Sequence, residues 1–233
     1  MNLFLDIETI PSDNPAIIEY VTANVSPPGT MKKAETIAKW EAEEKPSAVE
    51  EALAKCALDG AFGKVIVVCT GYDDGSVDRI FDTDEKAVLG EVANMLADVR
   101  PPRFVGHNIH WDLRFLFQRY LCNGMSVPIS IRRAVEAKPW ESDKVFDTMT
   151  QFAGVGNRIS LEKLCLSLGI PSPKKGMDGS QVWSYYKAGR LSEIVAYCAG
   201  DVAAARAVFR RMTGNDFAHR VLQEHYGSDA RDD

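Results

Sequence analysis

The sequence lacks paired cysteines. Its five cysteines are scattered without a C-x-x-C motif, and most of them lie among apolar residues. This distribution is typical of reduced thiols in a protein core, and not of disulfides or a zinc site. We therefore expect a reducing compartment. The thiols concerned are Cys56, Cys69, Cys122, Cys165 and Cys198.

Features that direct a protein to a membrane are missing as well. No charged segment followed by an apolar one opens the chain. No stretch approaches the roughly 18 apolar residues that a membrane span needs. We expect a cytoplasmic protein that does not bind membranes.

The chain has no excess of positive charge, and its formal net charge is -6. This argues against a protein that coats nucleic acid with a uniformly basic surface. It does not exclude a nuclease, because the clustered acids of an active site contribute negative charge themselves. Bound divalent cations then reverse the local sign.

Length and composition predict one large domain. The chain has 233 residues, of which 45% are hydrophobic, so it can bury a substantial core. We expect a single domain over residues 1–233 with a charged helical insertion at about 26–60. The helical pattern of this insertion runs from about Met31 to Leu58 and is interrupted at Pro46.

Strand patterns come early in the chain and helical patterns later, which predicts an α/β fold with a mixed sheet flanked by helices. Predicted strands are Leu3–Ile10, Val65–Cys69, Val77–Phe81, Phe104–Val105 and Val145–Asp147. Predicted helices cover 84–99 and Ile109–Cys122, start at Ser160, and run from about Leu191 to Met212.

Two carboxylates lie two residues apart in the first predicted strand. Alternate side chains of a strand share a face, so Asp6 and Glu8 project together. In apolar surroundings such a pair either holds a proton or surrounds a cation, and a divalent metal is the obvious cation. The same spacing at Asp82 and Asp84 lies in a polar stretch, where it predicts a turn and a helix cap.

The last predicted helix carries a tyrosine and an acid on one face, because Tyr197 and Asp201 are four residues apart. Asp201 lies at the margin of the predicted buried stripe, where an unpaired charge is costly. A salt bridge or a cap is the ordinary alternative for a single such residue. The stripe consists of Ile194, Cys198, Val202, Ala205 and Phe209.

The acids follow the order of the DEDD superfamily of 3′-5′ exonucleases, which the chain resembles. Asp6 and Glu8 lie on a first strand, Asp112 opens a central helix, and Asp201 lies on a late helix with Tyr197. In that superfamily the residue four or five before the last acid divides a Tyr branch from a His branch. The tyrosine at position 197 makes this a resemblance to the Tyr branch.

Longer stretches resemble the predicted exonucleases related to the proofreading domain of family B DNA polymerases. These stretches are LFLDIETIP, FVGHNIHWDLRFL, GIPSPKKGMDG and AYCAGDVAAARAVF. They cover nearly the whole chain in the right order. One departure is Trp111, which stands where phenylalanine is more frequent in the family.

The resemblance implies a ribonuclease H-like fold and two divalent cations, Mg²⁺ or Mn²⁺, held by four carboxylates. Asp6 would bridge both ions, Asp112 would hold the ion at the leaving group, and Glu8 and Asp201 would hold the ion that activates water. Tyr197 would orient that water, because a phenol with a pKa of about 10 is a poor base at pH 7. The implied substrate is single-stranded DNA or a frayed 3′ end, and the product is a nucleoside 5′-monophosphate.

Residues next to the acids are candidate substrate contacts. Thr9 is one, Asn108 either binds substrate or caps its helix, and Trp111 either stacks on a base or packs in the core. His107 is interpreted as structural and His110 is left undecided. In the Gly/Pro loop, Lys174 and Lys175 are either phosphate contacts or solvated charges.

Two other functions remain open at this stage. One is a 3′-5′ exoribonuclease with the same four acids, because the sequence does not reveal a ribose pocket. The other is a catalytically silent nucleic-acid-binding module, which would have no reason to keep costly buried carboxylates. We expect no polymerase domain, since about 20 residues follow the last predicted helix.

Overall fold

A mixed sheet of five strands forms the centre of the fold. The computed structural model describes residues 1–97, 101–172 and 176–214. The sheet order is β3-β2-β1-β4-β5, with β1 antiparallel to β2 and parallel to β4. The strands are β1 Asn2–Pro11, β2 Gly63–Gly71, β3 Val77–Phe81, β4 Arg103–Gly106 and β5 Val145–Asp147.

Helices cover both faces of this sheet, which confirms the predicted α/β architecture. They are α1 Pro15–Asn24, α2 Ala34–Glu43, α3 Lys45–Lys55, α4 Glu85–Ala97, α5 Ile109–Cys122, α6 Ile129–Glu136, α7 Thr148–Ala153, α8 Leu161–Leu168, α9 Val182–Lys187 and α10 Leu191–Thr213. Among these helices none combines the length and the apolar character that a membrane crossing requires.

The central strand β1 is apolar on both faces, as its sequence predicts. Leu3, Leu5 and Ile7 pack into one core cluster with α4 and α5. Phe4 and Ile10 point the other way and pack with buried residues of α10. Asp6 and Glu8 therefore lie on a strand that is packed on both faces.

The two helices that carry the remaining acids also match their predictions closely. All five residues of the predicted stripe on α10 are buried. On α5 the boundaries are as predicted, and Leu113, Leu116 and Tyr120 are buried. The apolar spacing of this segment also predicts Leu121 in the same buried stripe, and this prediction is wrong, because Leu121 is 55% exposed.

The charged segment before β2 forms two helices, α2 and α3. Its break lies at Glu44, and Pro46 lies in the first turn of α3, where proline is tolerated. The predicted Asp84 cap is confirmed, since Asp84 accepts a hydrogen bond from Lys86 N. Helices α1, α6, α7 and α9 were not predicted, and Val99, Lys174 and Lys175 lie outside the described residues.

A buried ion pair fixes α5 against α4. Arg119 and Glu85 form two parallel hydrogen bonds of 2.9 and 2.8 Å, and both side chains are about 7% exposed. Glu85 also accepts from Val65 N at 2.7 Å, and Arg119 donates to Gly60 O and Ala61 O at 3.1 Å. The pair thus anchors the helix that carries Asp112.

Removal of the guanidinium should therefore be costly. We expect Arg119→Ala to lower the free energy of unfolding by about 3–5 kcal/mol, because Glu85 is left buried without its cation. Urea denaturation measures the loss. The matched control is Arg190→Ala, which breaks the exposed Arg190–Glu193 pair and should leave stability almost unchanged. Equal losses in the two variants would contradict the anchoring role.

Candidate metal centre

Strand β1 places Asp6 and Glu8 on the face covered by α10. Both share the parity of Phe4, which packs against α10 residues. The register with β2 shifts between Glu8 and Thr9, so a β-bulge follows the second acid directly. Bulges of this kind re-aim side chains next to functional sites. Glu8 is 8% exposed, and Asp6 is partly buried.

The β4–α5 connection places Asp112 close to these two acids. Gly106 is required there, because a Cβ would lie 2.7 Å from Leu5 O. Asn108 follows in a left-handed conformation with φ of 61°, and α5 begins at the next residue. Asp112 in the first turn is 4% exposed, and its Oδ1 accepts a hydrogen bond from Ile7 N at 3.2 Å.

Helix α10 closes the site from the opposite side. Tyr197 and Asp201 are both half-buried on neighbouring turns of this helix. Cys198, which is fully buried, donates from Sγ to Asp6 O at 3.4 Å. The four predicted acids and the tyrosine therefore converge from three separate elements.

The electrostatics of the cluster follow from burial and mutual repulsion. Burial raises the pKa of Asp6 well above its usual range, and the charges of Asp112, Glu8 and Asp201 raise it further. Burial and the charges of Asp201 and Asp112 also raise the pKa of Glu8. For Asp112, burial raises the pKa to about 8 although the hydrogen bond from Ile7 N opposes this shift. Each acid is therefore costly to ionise without a nearby cation.

Asp6 has a carboxylate oxygen that is available to a cation. Asp6 Oδ2 is buried and has no hydrogen-bond partner among the described residues. Carboxylate oxygens are the ligands that Mg²⁺ and Mn²⁺ prefer. The residues present therefore fit divalent cations, and Asp6, Glu8 and Cys198 can offer ligand atoms that all lie within 4.8 Å of one another.

Tyrosine 197 keeps its proton in this environment. Burial raises the pKa of the Tyr197 hydroxyl, and the charges of Asp201, Glu8 and Asp6 raise it further. A phenol that stays protonated at neutral pH donates a hydrogen bond and does not accept a proton as a base. This agrees with the orienting role that the family resemblance implies.

Two residues next to the acids were not predicted as part of the site. Asp147 is 2% exposed, and its Oδ1 accepts from Asn108 N at 2.9 Å and from Met149 N at 3.0 Å. It thus caps α7 and holds the left-handed residue that precedes α5. Cys198 was predicted only as a core thiol. The helical spacing that identified it as buried carries no signal of its contact with Asp6.

The remaining candidates have different environments. Asn108 occupies the N-cap position without a side-chain capping bond, so the capping alternative is wrong and its exposed side chain remains a candidate substrate contact. Thr9 Oγ1 donates to Ala57 O at 2.6 Å. Trp111 is half-buried and packs on Phe115 at a ring separation of 5.1 Å.

The two histidines near the acids also differ. His107 Nδ1 lies 3.0 Å from Thr148 Oγ1, and its Nε2 lies 2.8 Å from Ile159 O. Both ring nitrogens are thus engaged with groups that link β5, α7 and the start of α8, which confirms the structural interpretation. His110 is partly exposed on α5, and its role stays undecided.

A family of predicted 3′-5′ exonucleases related to the exonuclease domain of PolB matches residues 58–230, more than half of the chain. The chain belongs to this family. The resemblance drawn from its motifs is thereby confirmed. The matched region contains Asp112, Tyr197 and Asp201, whereas Asp6 and Glu8 precede it. The comparison with curated proteins finds no match.

Among solved structures, this family member is similar to the family B DNA polymerase from the hyperthermophilic archaeon Pyrobaculum calidifontis. The TM-score is 0.56 at 13% sequence identity. The alignment covers 91% of this chain and 24% of the polymerase chain, so the chain spans about a quarter of the length of the protein that it matches. The likeness shows the fold, which is ribonuclease H-like, as predicted.

The raised pKa of Asp112 predicts the pH dependence of stability without metal. The folded state holds a proton on Asp112 up to about pH 8, whereas the unfolded state releases it near the ordinary value of 3.8. The stabilisation from protonated Asp112 is therefore fully present below pH 3.8 and is lost as the pH rises through about 8. In EDTA, we expect the free energy of unfolding to fall by on the order of a few kcal/mol between pH 5 and 8.5. This should lower the melting temperature by several degrees.

Asp112→Asn supplies the comparison for this measurement, because asparagine does not titrate. Its melting temperature in EDTA should fall less over the same pH range. Differential scanning fluorimetry of both proteins measures the two slopes. Parallel slopes would show that Asp112 does not carry the pH dependence.

Proposed function

We propose that this chain is a metal-dependent 3′-5′ exonuclease of the Tyr branch of the DEDD superfamily. Its substrate is the 3′ end of single-stranded DNA or a frayed duplex end, and its products are nucleoside 5′-monophosphates. The convergence of Asp6, Glu8, Asp112 and Asp201 is the observation that carries the proposal. The charges of Asp112 and Asp201 raise the pKa of both Asp6 and Glu8, so the four acids lie close together.

Four carboxylates would hold two divalent cations, Mg²⁺ or Mn²⁺. Asp6 is the natural bridging ligand, since the charges of Asp112, Glu8 and Asp201 all act on it. When bound, two such ions supply an activated water and stabilise the leaving 3′-oxygen in an in-line displacement. The protein keeps the ligands in place through β1, α5 and α10, and Asp112 is additionally fixed by its hydrogen bond from Ile7 N.

Tyr197 would orient the attacking water as a hydrogen-bond donor. Its protonated phenol lies on the same face of α10 as Asp201, one turn earlier. Tyr197 would not take a proton from the water, because burial and the neighbouring carboxylates raise the pKa of its hydroxyl and keep it protonated. Tyr197 would thus position the water and would not act as a base.

Space for a nucleotide exists next to this tyrosine. A groove of about 650 Å³ opens beside α10, and Tyr197, Gly200, Tyr185 and Met177 are among the residues that line it. The helix side of this groove carries small residues, among them Ala196, Ala203 and Ala207. The Tyr185 ring also lines the groove, and the Arg190 guanidinium covers one of its faces at 3.9 Å from the ring centroid. The exposed Asn108 and the half-buried Trp111 are further proposed contacts on the α5 side.

DNA is proposed over RNA because the family is described as related to the exonuclease domain of PolB, and the similar structure is a DNA polymerase. The test uses 5′-labelled single strands of DNA and RNA of one sequence, incubated with purified protein and Mg²⁺, Mn²⁺ or EDTA. We expect a ladder that shortens from the 3′ end of the DNA and disappears with EDTA.

Two variants decide whether the cluster performs this reaction. Asp6→Ala should abolish the ladder. Asp201→Asn should still bind single-stranded DNA, because it keeps the shape of the side chain, but should lose most turnover. Preferred cleavage of RNA would change the substrate, whereas cleavage of neither strand would leave a silent binding module. Near wild-type cleavage by Asp201→Asn would contradict the proposal.

Tyr197→Phe separates an orienting tyrosine from a general base. Loss of one hydrogen bond to a charged or reacting group costs about 1.5–3 kcal/mol, so kcat should fall by roughly tenfold to a hundredfold. The shape of the pH–rate profile should stay the same, since the phenol does not titrate in the working range. Steady-state kinetics from pH 6 to 9 measure both quantities. Loss of a limb of the profile would instead identify Tyr197 as the base.

A further inference from the structure

Cys198 places a soft ligand among hard ones. Its side chain is fully buried on α10, and its Sγ donates to Asp6 O at 3.4 Å. One ligand atom each from Asp6, Glu8 and Cys198 can be chosen so that all three lie within 4.8 Å of one another. The three side chains are therefore close enough for small rotations to bring their ligand atoms onto a single ion.

The carboxylates of Asp6 and Glu8 are available to bind a cation. Glu8 is 8% exposed and makes no hydrogen bond or ion pair through its carboxylate among the described residues. Asp6 Oδ2 is likewise buried without a hydrogen-bond partner in that part of the chain. Both side chains lie near the thiol on β1. The site therefore draws two ligands from the strand and one from helix α10.

We propose that Asp6, Glu8 and Cys198 form a binding site for thiophilic divalent cations of the Zn²⁺ and Cd²⁺ class, with the Cys198 thiolate as a direct ligand. The Sγ–H proton passes to solvent as the metal–sulfur bond forms. Three protein ligands leave a fourth tetrahedral position for water or a phosphate oxygen. Mg²⁺ and Mn²⁺ use only the oxygen ligands, because thiolates bind hard cations poorly.

Selectivity follows from the chemistry of the three donors. A thiolate bonds most strongly to soft and borderline cations, so the sulfur of Cys198 favours Zn²⁺ and Cd²⁺ over Mg²⁺ and Mn²⁺. Such an ion would occupy the proposed nuclease centre and inhibit it.

This inference uses the acids of the proposed nuclease, but it is tested by metal binding without any nucleic acid. The protein carries Cys122→Ser throughout, because Cys122 is exposed and would bind thiophilic ions by itself. Metal-free protein is titrated with CdCl₂, and the ultraviolet charge-transfer band from thiolate to Cd²⁺ is recorded. We expect one saturable band with a stoichiometry of one ion per chain.

Four further variants locate the ion. Cys198→Ser should lose the band, and Cys198→Ala provides a second replacement if serine disturbs packing. Asp6→Asn keeps the thiol and should weaken Cd²⁺ binding by about tenfold or more, since one charged ligand is gone. Cys56→Ser removes another buried thiol outside the cluster and should leave the band unchanged. Circular dichroism confirms the fold of each variant.

The outcomes separate this site from the nuclease proposal. A band that survives in both Cys198 variants would overturn the inference, and so would an Asp6→Asn protein with unchanged Cd²⁺ affinity. Excess Mn²⁺ should compete with Cd²⁺, because both use Asp6 and Glu8. A protein that binds Cd²⁺ in this way but cleaves no nucleic acid would support the metal site and contradict only the nuclease.

Discussion

The mutual repulsion of desolvated carboxylates is the constraint on which the rest of the structure depends. Asp6, Glu8 and Asp112 each have a raised pKa, and burial is the largest cause in every case. A fold gains nothing in stability from such an arrangement unless cations neutralise it. The apolar packing of β1 on both faces and the buried Arg119–Glu85 pair supply the stability that the cluster removes.

Placement of the acids depends on a few local devices in the backbone. The pairing of β1 with β2 shifts its register directly after Glu8, and Gly106 lets β4 approach Leu5 O. Asp147 accepts the amide of the left-handed Asn108 and thereby sets where α5 begins. These contacts connect β5 to the start of the helix that carries Asp112. In this chain, hydrogen bonds between distant segments thus help to hold Asp112 in place.

Much of this arrangement follows from sequence periodicity. The stripe of α10, the bounds of α5 and the alternation of β1 are strong, long patterns, and they place four acids and Tyr197 correctly on their elements. Helices α6, α7 and α9 are 6 to 8 residues long, too short for a clear period. Asp147 and Cys198 were missed because their partners lie 39 and 192 residues away, and no local pattern reports such contacts.

The most direct test of the central claim counts the cations that the cluster holds. Metal-free protein is titrated with Mn²⁺, and electron paramagnetic resonance measures the ion that remains free. The account predicts two bound ions per chain in the presence of a nucleoside 5′-monophosphate, and their loss in Asp6→Asn. No bound Mn²⁺ in the wild-type protein, or equal binding by the variant, would contradict the claim that these carboxylates form a metal centre.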